Sequence, residues 1–284
     1  MSLLNDTNTD LVLDEIDDVQ QSTWLLLKTR FKNTAIATLV FSSIMVIVGF
    51  YITLADNNGL ILIVLAILPP FFLYGYIGKK VEQLFMEQFA KSNGYDYQSH
   101  GTLIGKDAHI FSIGNSKKVF NEINGTYRTC PINLFDYQFT VGSGKNSQTY
   151  LKTIFSIDFQ SPVPHITLRI HSILNALDWI SQEKKINLEG DFNNKFDLYV
   201  QKGYEMEALE IFTPDLMQQI ETQWQFELEF SATKLYILYP QIINKKVDLQ
   251  NLFTAAKYFA DHLDPLVNKM KSDMAAMMEQ TAKK

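Results

Sequence analysis

"TAIATLVFSSIMVIVGFYITLA", Thr34 to Ala55, contains no charged residue, and neither does a second run, "LILIVLAILPPFFLYGYI", Leu60 to Ile77. A helix rises about 1.5 Å per residue, so about 20 apolar residues cross the ~30 Å hydrocarbon layer of a bilayer. Both runs approach that length. Both are also apolar on every side, whereas the helices of a soluble core carry a single apolar stripe. The four residues between them, Asp56 to Gly59, suffice to reverse the chain and are too few for a domain. The expectation is a transmembrane helical hairpin with the lipid bilayer as its partner.

Charge placement orients it. Lys28, Arg30 and Lys32 precede the first run, Lys79 and Lys80 follow the second, and the connection carries only Asp56. Basic residues collect on the cytoplasmic side of membrane helices, so these five anchor flanks predict both termini in the cytoplasm. Trp24, Tyr74 and Tyr76 lie near the basic flanks as interfacial aromatics. Pro69 and Pro70 predict a bend in the second helix. Neither run holds an acidic, basic or histidine residue, which argues against an ion pathway. A cleavable signal peptide is not expected, because the start lacks positive charge and is rich in acidic residues.

Around this hairpin, residues 1–33 read as an acidic arm, including "DEIDD" at Asp14 to Asp18, and a helix leading in through "WLLLKTRFK", with Ser22 or Thr23 as cap. The hairpin occupies 34–78, with spans 34–55 and 60–77. Residues 79–94 form a helical stalk with Val81, Leu84, Phe85 and Phe89 as its stripe and a stop at Asn93–Gly94. From 95 to 247 the chain changes to short β-rich runs: "FDYQFTVG", "TYLKTIFSIDFQ", "HITLRI", "KFDLYV", "FELEF" and "KLYILYP". "HSILNALDWISQ" and "PDLMQQIETQ" read as helices, the latter capped by Thr213 with Pro214 in its first turn. Strands this close in sequence favour an α+β domain with a mainly antiparallel sheet. Residues 248–284 carry an apolar helical stripe that includes Leu252, Phe259, Leu263, Val267, Met270 and Met274, interrupted at Asp264–Pro265. It has two readings: packing on the domain's own sheet, or a homo-oligomer through the C-terminal helices.

The chain carries a net charge of −6, which opposes an electrostatic nucleic-acid footprint, and a single cysteine, Cys130, which excludes an internal disulfide. "TVGSGKNS", Thr140 to Ser147, looks like a phosphate loop and fails as one. Phe139 stands at the first-glycine position, Asn146 replaces the hydroxyl, and strand-like sequence follows, so Gly142 and Gly144 are read as a β-hairpin turn. The histidines, His100, His109, His165, His171 and His262, lack metal-ligand spacing, and no cysteine pair accompanies them. Asp136, Asp158, Glu205 and Glu207 have no motif that ties them together. No catalytic residue, cofactor or metal is therefore assigned.

The runs "LFDYQFTVGSGKNSQTYLKTIFSIDF", "PHITL" and "GDFNNKFDLYVQKGYEMEALEIFTPDLMQQI" resemble an uncharacterised family of bacterial membrane proteins with two spans and a soluble domain of unknown function. The resemblance covers roughly residues 30–240 and is most specific from Phe192 to Met217. It implies the two-part architecture and a bacterial inner-membrane location, and it brings no catalytic residue. The leading expectation is an inner-membrane protein whose cytoplasmic α+β domain binds a protein partner or acts as a scaffold. The alternative is a membrane-tethered hydrolase or lipid-modifying enzyme using Asp, Glu and His near His109 or His165. The third is a lipid or small-ligand sensor with a basic groove near Lys79, Lys80 or Lys145.

Overall fold

A computed structural model describes residues 17–56, 59–171, 183–188, 190–261 and 263. The chain divides into two compact units: one from the N-terminal part to Ser92, joined by Asn244–Lys246, and one formed by the rest. The acidic arm before residue 17, all but the first residue of the helix expected at 171–182, and the chain from 264 onward lie outside the described residues.

The first unit is helical. Helix α1 spans Val19–Lys28, α2 Lys32–Asp56, α3 Leu60–Leu65 and α4 Leu68–Ser92. The segments Lys32–Ala55 and Leu60–Ser92 are each long and apolar enough to cross a membrane, and only 6% and 11% of their most apolar windows are buried. Leu39, Phe41, Ile47, Phe50, Tyr51, Ile61, Ile67, Phe71 and Phe72 all face outward. Within α2 the hydroxyls of Thr38, Ser43 and Thr53 donate to carbonyls three or four residues back, so these polar groups are satisfied without water.

The interruption expected at the prolines falls just ahead of them. Pro69 and Pro70 lack amide hydrogens, so the carbonyls of Leu65 and Ala66 lose their i+4 donors. The helix accordingly lapses at Ala66–Ile67, where Ile67 N donates to Val64 O at 3.3 Å, and resumes with both prolines in the first turn of α4. Near the turn between the helices, Gly49 and Gly59 allow close backbone approach: a Cβ on Gly59 would fall 1.8 Å from the Gly49 carbonyl oxygen. Helix α1 packs against α4, with the Trp24 and Tyr74 rings 6.3 Å apart. Two hydrogen bonds join Asn244–Lys246 to the start of α1: Val19 N donates to Asn244 O at 3.0 Å, and Lys246 N to Asp18 Oδ1 at 2.8 Å.

The second unit is built on a nine-stranded sheet in which every pair is antiparallel. Its strands are β1 Asp96–His100, β2 Asn115–Tyr127, β3 Cys130–Val141, β4 Gln148–Asp158, β5 Ile166–Ile170, β6 Glu183–Ile186, β7 Phe196–Gln201, β8 Glu227–Ser231 and β9 Lys234–Tyr239. Their order is β1-β2-β3-β4-β9-β8-β5-β7-β6. Between β7 and β8 lie α5, Glu205–Ile211, and α6, Pro214–Gln219, whose Thr213 cap accepts from Leu216 N. A π-helical turn, Ile220–Trp224, extends α6. Residues 246–261 form a further helix, α7.

"TVGSGKNS" is the β3–β4 hairpin connection, with Val141 opposite Gln148. Gly142 and Gly144 have φ of +84° and +57°, which side-chain-bearing residues adopt at a cost. The helix in "YEMEALEIF" buries Ala208 and Ile211, whereas Met206 and Leu209 are exposed.

Candidate functional site

In three neighbouring strands, apolar residues alternate with charged or hydrogen-bonding ones. Ile166, Leu168 and Ile170 of β5, Phe196, Leu198 and Val200 of β7, and Leu228 and Phe230 of β8 share one face. Successive side chains of a strand point to opposite faces, so Thr167, Arg169, Asp197, Tyr199, Glu227 and Glu229 share the other. The register sets Glu229 opposite Thr167, Thr167 opposite Tyr199, and Arg169 opposite Asp197. Further along that face, on β3, β4 and β9, the sheet carries an aromatic core of Phe135, Tyr137, Phe139, Ile154, Tyr236 and Leu238 covered by Ile110 and Phe111. One face thus passes from an apolar half to a buried ionic half.

Glu229, 1% exposed, is the centre of that ionic half. It accepts a short hydrogen bond from the His109 backbone amide. Its Oε1 lies 3.5 Å from His165 Nε2, and its Oε2 lies 3.7 Å from Arg169 Nη2. His165, just before β5, contacts Glu183 of β6 through Nδ1 and so bridges two carboxylates. The hydrogen bond to Glu183, then that to Glu229, raises the His165 pKa to about 9, against the opposing effect of burial. His109 moves the other way: burial lowers its pKa and outweighs the nearby Glu229. At neutral pH the pair is therefore one imidazolium and one neutral imidazole.

A second layer flanks this centre. Asp197 pairs with Lys185 and, at 2.9 Å, with His171 Nε2. Burial pushes its carboxyl up, but the hydrogen bonds from Lys185 and His171 prevail and hold it below the usual range. Lys152 Nζ meets Glu227 at 2.6 Å, and the Tyr236 hydroxyl donates to Asp107 at 2.5 Å, with burial and that bond raising its pKa. Glu183, Glu229, His165 and Arg169 balance in charge, and their contacts tie β5, β6 and β8 together. An imidazolium shared by two carboxylates is a cross-link at neutral pH and lacks the lone pair a general base needs.

Elsewhere in this unit an open cavity of about 350 Å³ is lined by polar residues, among them Gln98, Lys106, Glu122, Asn133 and Lys234. Lys106 pairs with Glu122 at 2.6 Å and lies 4.5 Å over the Phe135 ring.

The residues singled out from the sequence fall in different places. Lys28, Arg30, Lys32, Lys79 and Lys80 are all exposed on or beside the helices of the first unit. Leu252, Phe259 and Leu263 are buried, with the Phe259 ring against Trp224 and Phe226, while Val267, Met270 and Met274 lie outside the described residues. Asp136 is buried in β3, accepting from Asn121 and Thr153; Asp158 caps the turn at Gln160; Glu205 meets Lys184 at 3.5 Å. Cys130 is buried at the start of β3, and Lys145 sits in the exposed hairpin turn. Among the described residues no group of three or more His, Cys, Asp and Glu side chains is arranged to hold a metal. Sequence reasoning missed Glu229, Arg169 and Glu183. For Arg169 and Glu229 the signal available was the charged residues at alternate positions of "TLRI" and "FELEF".

No family model matches the chain, and no curated protein does. Among solved structures it is similar to the mycobacterial trehalose monomycolate transport factor A, at 13% identity and a TM-score of 0.49, over 64% of this chain and 94% of that one. A likeness of that degree leaves the functional reading to the chain's own residues.

Proposed function

We propose that the protein is anchored in a bacterial inner membrane by α2 and α3–α4, with both termini cytoplasmic, as a member of the uncharacterised two-span family it resembles. Its sheet unit, roughly residues 95–247 followed by the C-terminal helices, is a binding or scaffolding module for a protein partner. The observation that carries this reading is the outward-facing apolar surface of the two long helices, from Ile36 to Leu54 and from Leu60 to Phe72. In water such a surface is a large exposed apolar patch; in lipid it is solvated. The mutual neutralisation of the buried charges favours binding over catalysis.

A second reading is favoured by one arrangement: His109, His165, Glu183 and Glu229 meet on one face, as a membrane-tethered hydrolase or lipid-modifying enzyme would require. The two are separated by His109→Ala in full-length protein expressed in its native membrane. A binding module keeps its cellular function and its site-specific photo-cross-links from Ile104, which is 87% exposed. An enzyme loses function by a hundredfold or more while the cross-links persist.

A further inference from the structure

The first unit contains an open cleft of about 420 Å³ lined by Asp18, Gln20, Gln21, Trp24, Asn244 and Lys245. The two hydrogen bonds that join 244–246 to the start of α1 fix its walls. Asp18 uses Oδ1 to accept from Lys246 N, and Oδ2 has no protein hydrogen bond among the described residues. Lys245 has no ion pair among the described residues and is exposed. The cleft therefore presents one anion and one cation that do not neutralise each other, together with the side-chain amides of Gln20, Gln21 and Asn244.

Its position follows from Trp24. That ring is 52% exposed, packs beside Tyr74 of α4, and is followed by the exposed Leu25. Trp and Tyr settle where hydrocarbon meets headgroups. Asp18 is six residues from Trp24, about 9 Å along a helix axis, so the cleft lies within a headgroup's reach of the aromatic pair. The basic collar of Lys28, Arg30 and Lys32 lies at the other end of α1, in the turn that follows it and at the first residue of α2.

We infer that this cleft binds the headgroup of a zwitterionic phospholipid bearing a primary ammonium, phosphatidylethanolamine chemistry, with the phosphate at Lys245 and the glutamine amides and the ammonium at Asp18. A purely anionic headgroup meets the Asp18 carboxylate and is disfavoured there. A quaternary ammonium has no N–H to donate to that carboxylate. The inference rests on the membrane reading above and adds a lipid preference to it.

The test uses full-length protein in detergent micelles, offered an equimolar mixture of phosphatidylethanolamine, phosphatidylglycerol and phosphatidylcholine with identical acyl chains. Retained lipid is read by native mass spectrometry. The expected result is one phosphatidylethanolamine held at least fivefold over either competitor. Asp18→Asn, which keeps an acceptor for Lys246 N, and Lys245→Gln should each reduce that retention at least fivefold without changing the thermal aggregation temperature. Lys79→Gln with Lys80→Gln should leave it unchanged. Free phosphoethanolamine in tenfold excess should displace the lipid only partly, because the acyl chains hold it at the interface. Equal retention of all three lipids, or a phosphatidylglycerol preference lost in the Lys79/Lys80 variant, overturns the inference while leaving the anchor intact. Full-length protein that is monodisperse without detergent overturns both.

Discussion

At the scale of single residues, His165 and Glu229 set the electrostatics of the sheet unit. The folded pKa of His165, about 9, lies above the 6.5 of an ordinary histidine. Folding therefore binds its proton more tightly, and the stabilisation is complete below pH 6.5 and lost as pH rises through 9. With a third of the side chain exposed, screening reduces the effect to roughly 1–2 kcal/mol. Urea unfolding of full-length protein in detergent should show wild type more stable than His165→Gln by that amount at pH 6.5, with the gap closing by pH 9.5; a gap independent of pH would show the bridge to be neutral. Glu229→Gln is the harsher change. It leaves Arg169 and His165 facing a neutral amide in a buried site, and a loss of about 3–5 kcal/mol is expected in the same assay. The sequence offered His165 as a histidine beside a strand and as one possible centre of the alternative hydrolase reading, without its partners. Its significance depends on β6 and β8, which reach it from 18 and 64 positions away in sequence, and no local pattern encodes that meeting.

Among the secondary elements, those with the strongest local signals were the most legible. "FDYQFTVGSGKNSQTYLKTIF" reads as two strands and a turn, and it forms the β3–β4 hairpin, because a glycine at positive φ and alternating side chains are local requirements. The strand order, in which β9 and β8 insert between β4 and β5, was not legible, since it is set by long-range pairing. The face of α5 is not legible from spacing alone: Met206 and Leu209 lie three residues apart like a packed stripe and are exposed, whereas Ala208 and Ile211 are buried. The helical hairpin depends on small residues where its backbones cross. An added side chain at Gly49 meets the Gly59 carbonyl oxygen at 2.8 Å, whereas one at Gly75 meets nothing within 4 Å. Gly49→Leu should therefore lower the aggregation temperature of the detergent-solubilised protein by several degrees, and Gly75→Leu should leave it within a degree. Equal effects would mean that the close approach contributes nothing to stability.

For the whole molecule, the decisive physical fact is the mismatch between α2, α3 and α4 and water. The two apolar runs were the clearest feature of the sequence, because twenty consecutive residues of one character need no tertiary information to interpret. The ionic face of the sheet unit was not legible, since its charged residues meet only once distant strands are paired. The membrane reading predicts that the protein remains in the pellet after alkaline carbonate washing of membranes and is released by detergent. The most direct measurement is cysteine labelling with a membrane-impermeant maleimide in intact spheroplasts, in a Cys130→Ala background. Asn57→Cys, between the two helices, should label from outside, and Lys202→Cys, on the sheet unit, should label only after lysis. Labelling of Lys202→Cys in intact spheroplasts, or recovery of both variants from the soluble fraction, would contradict the account.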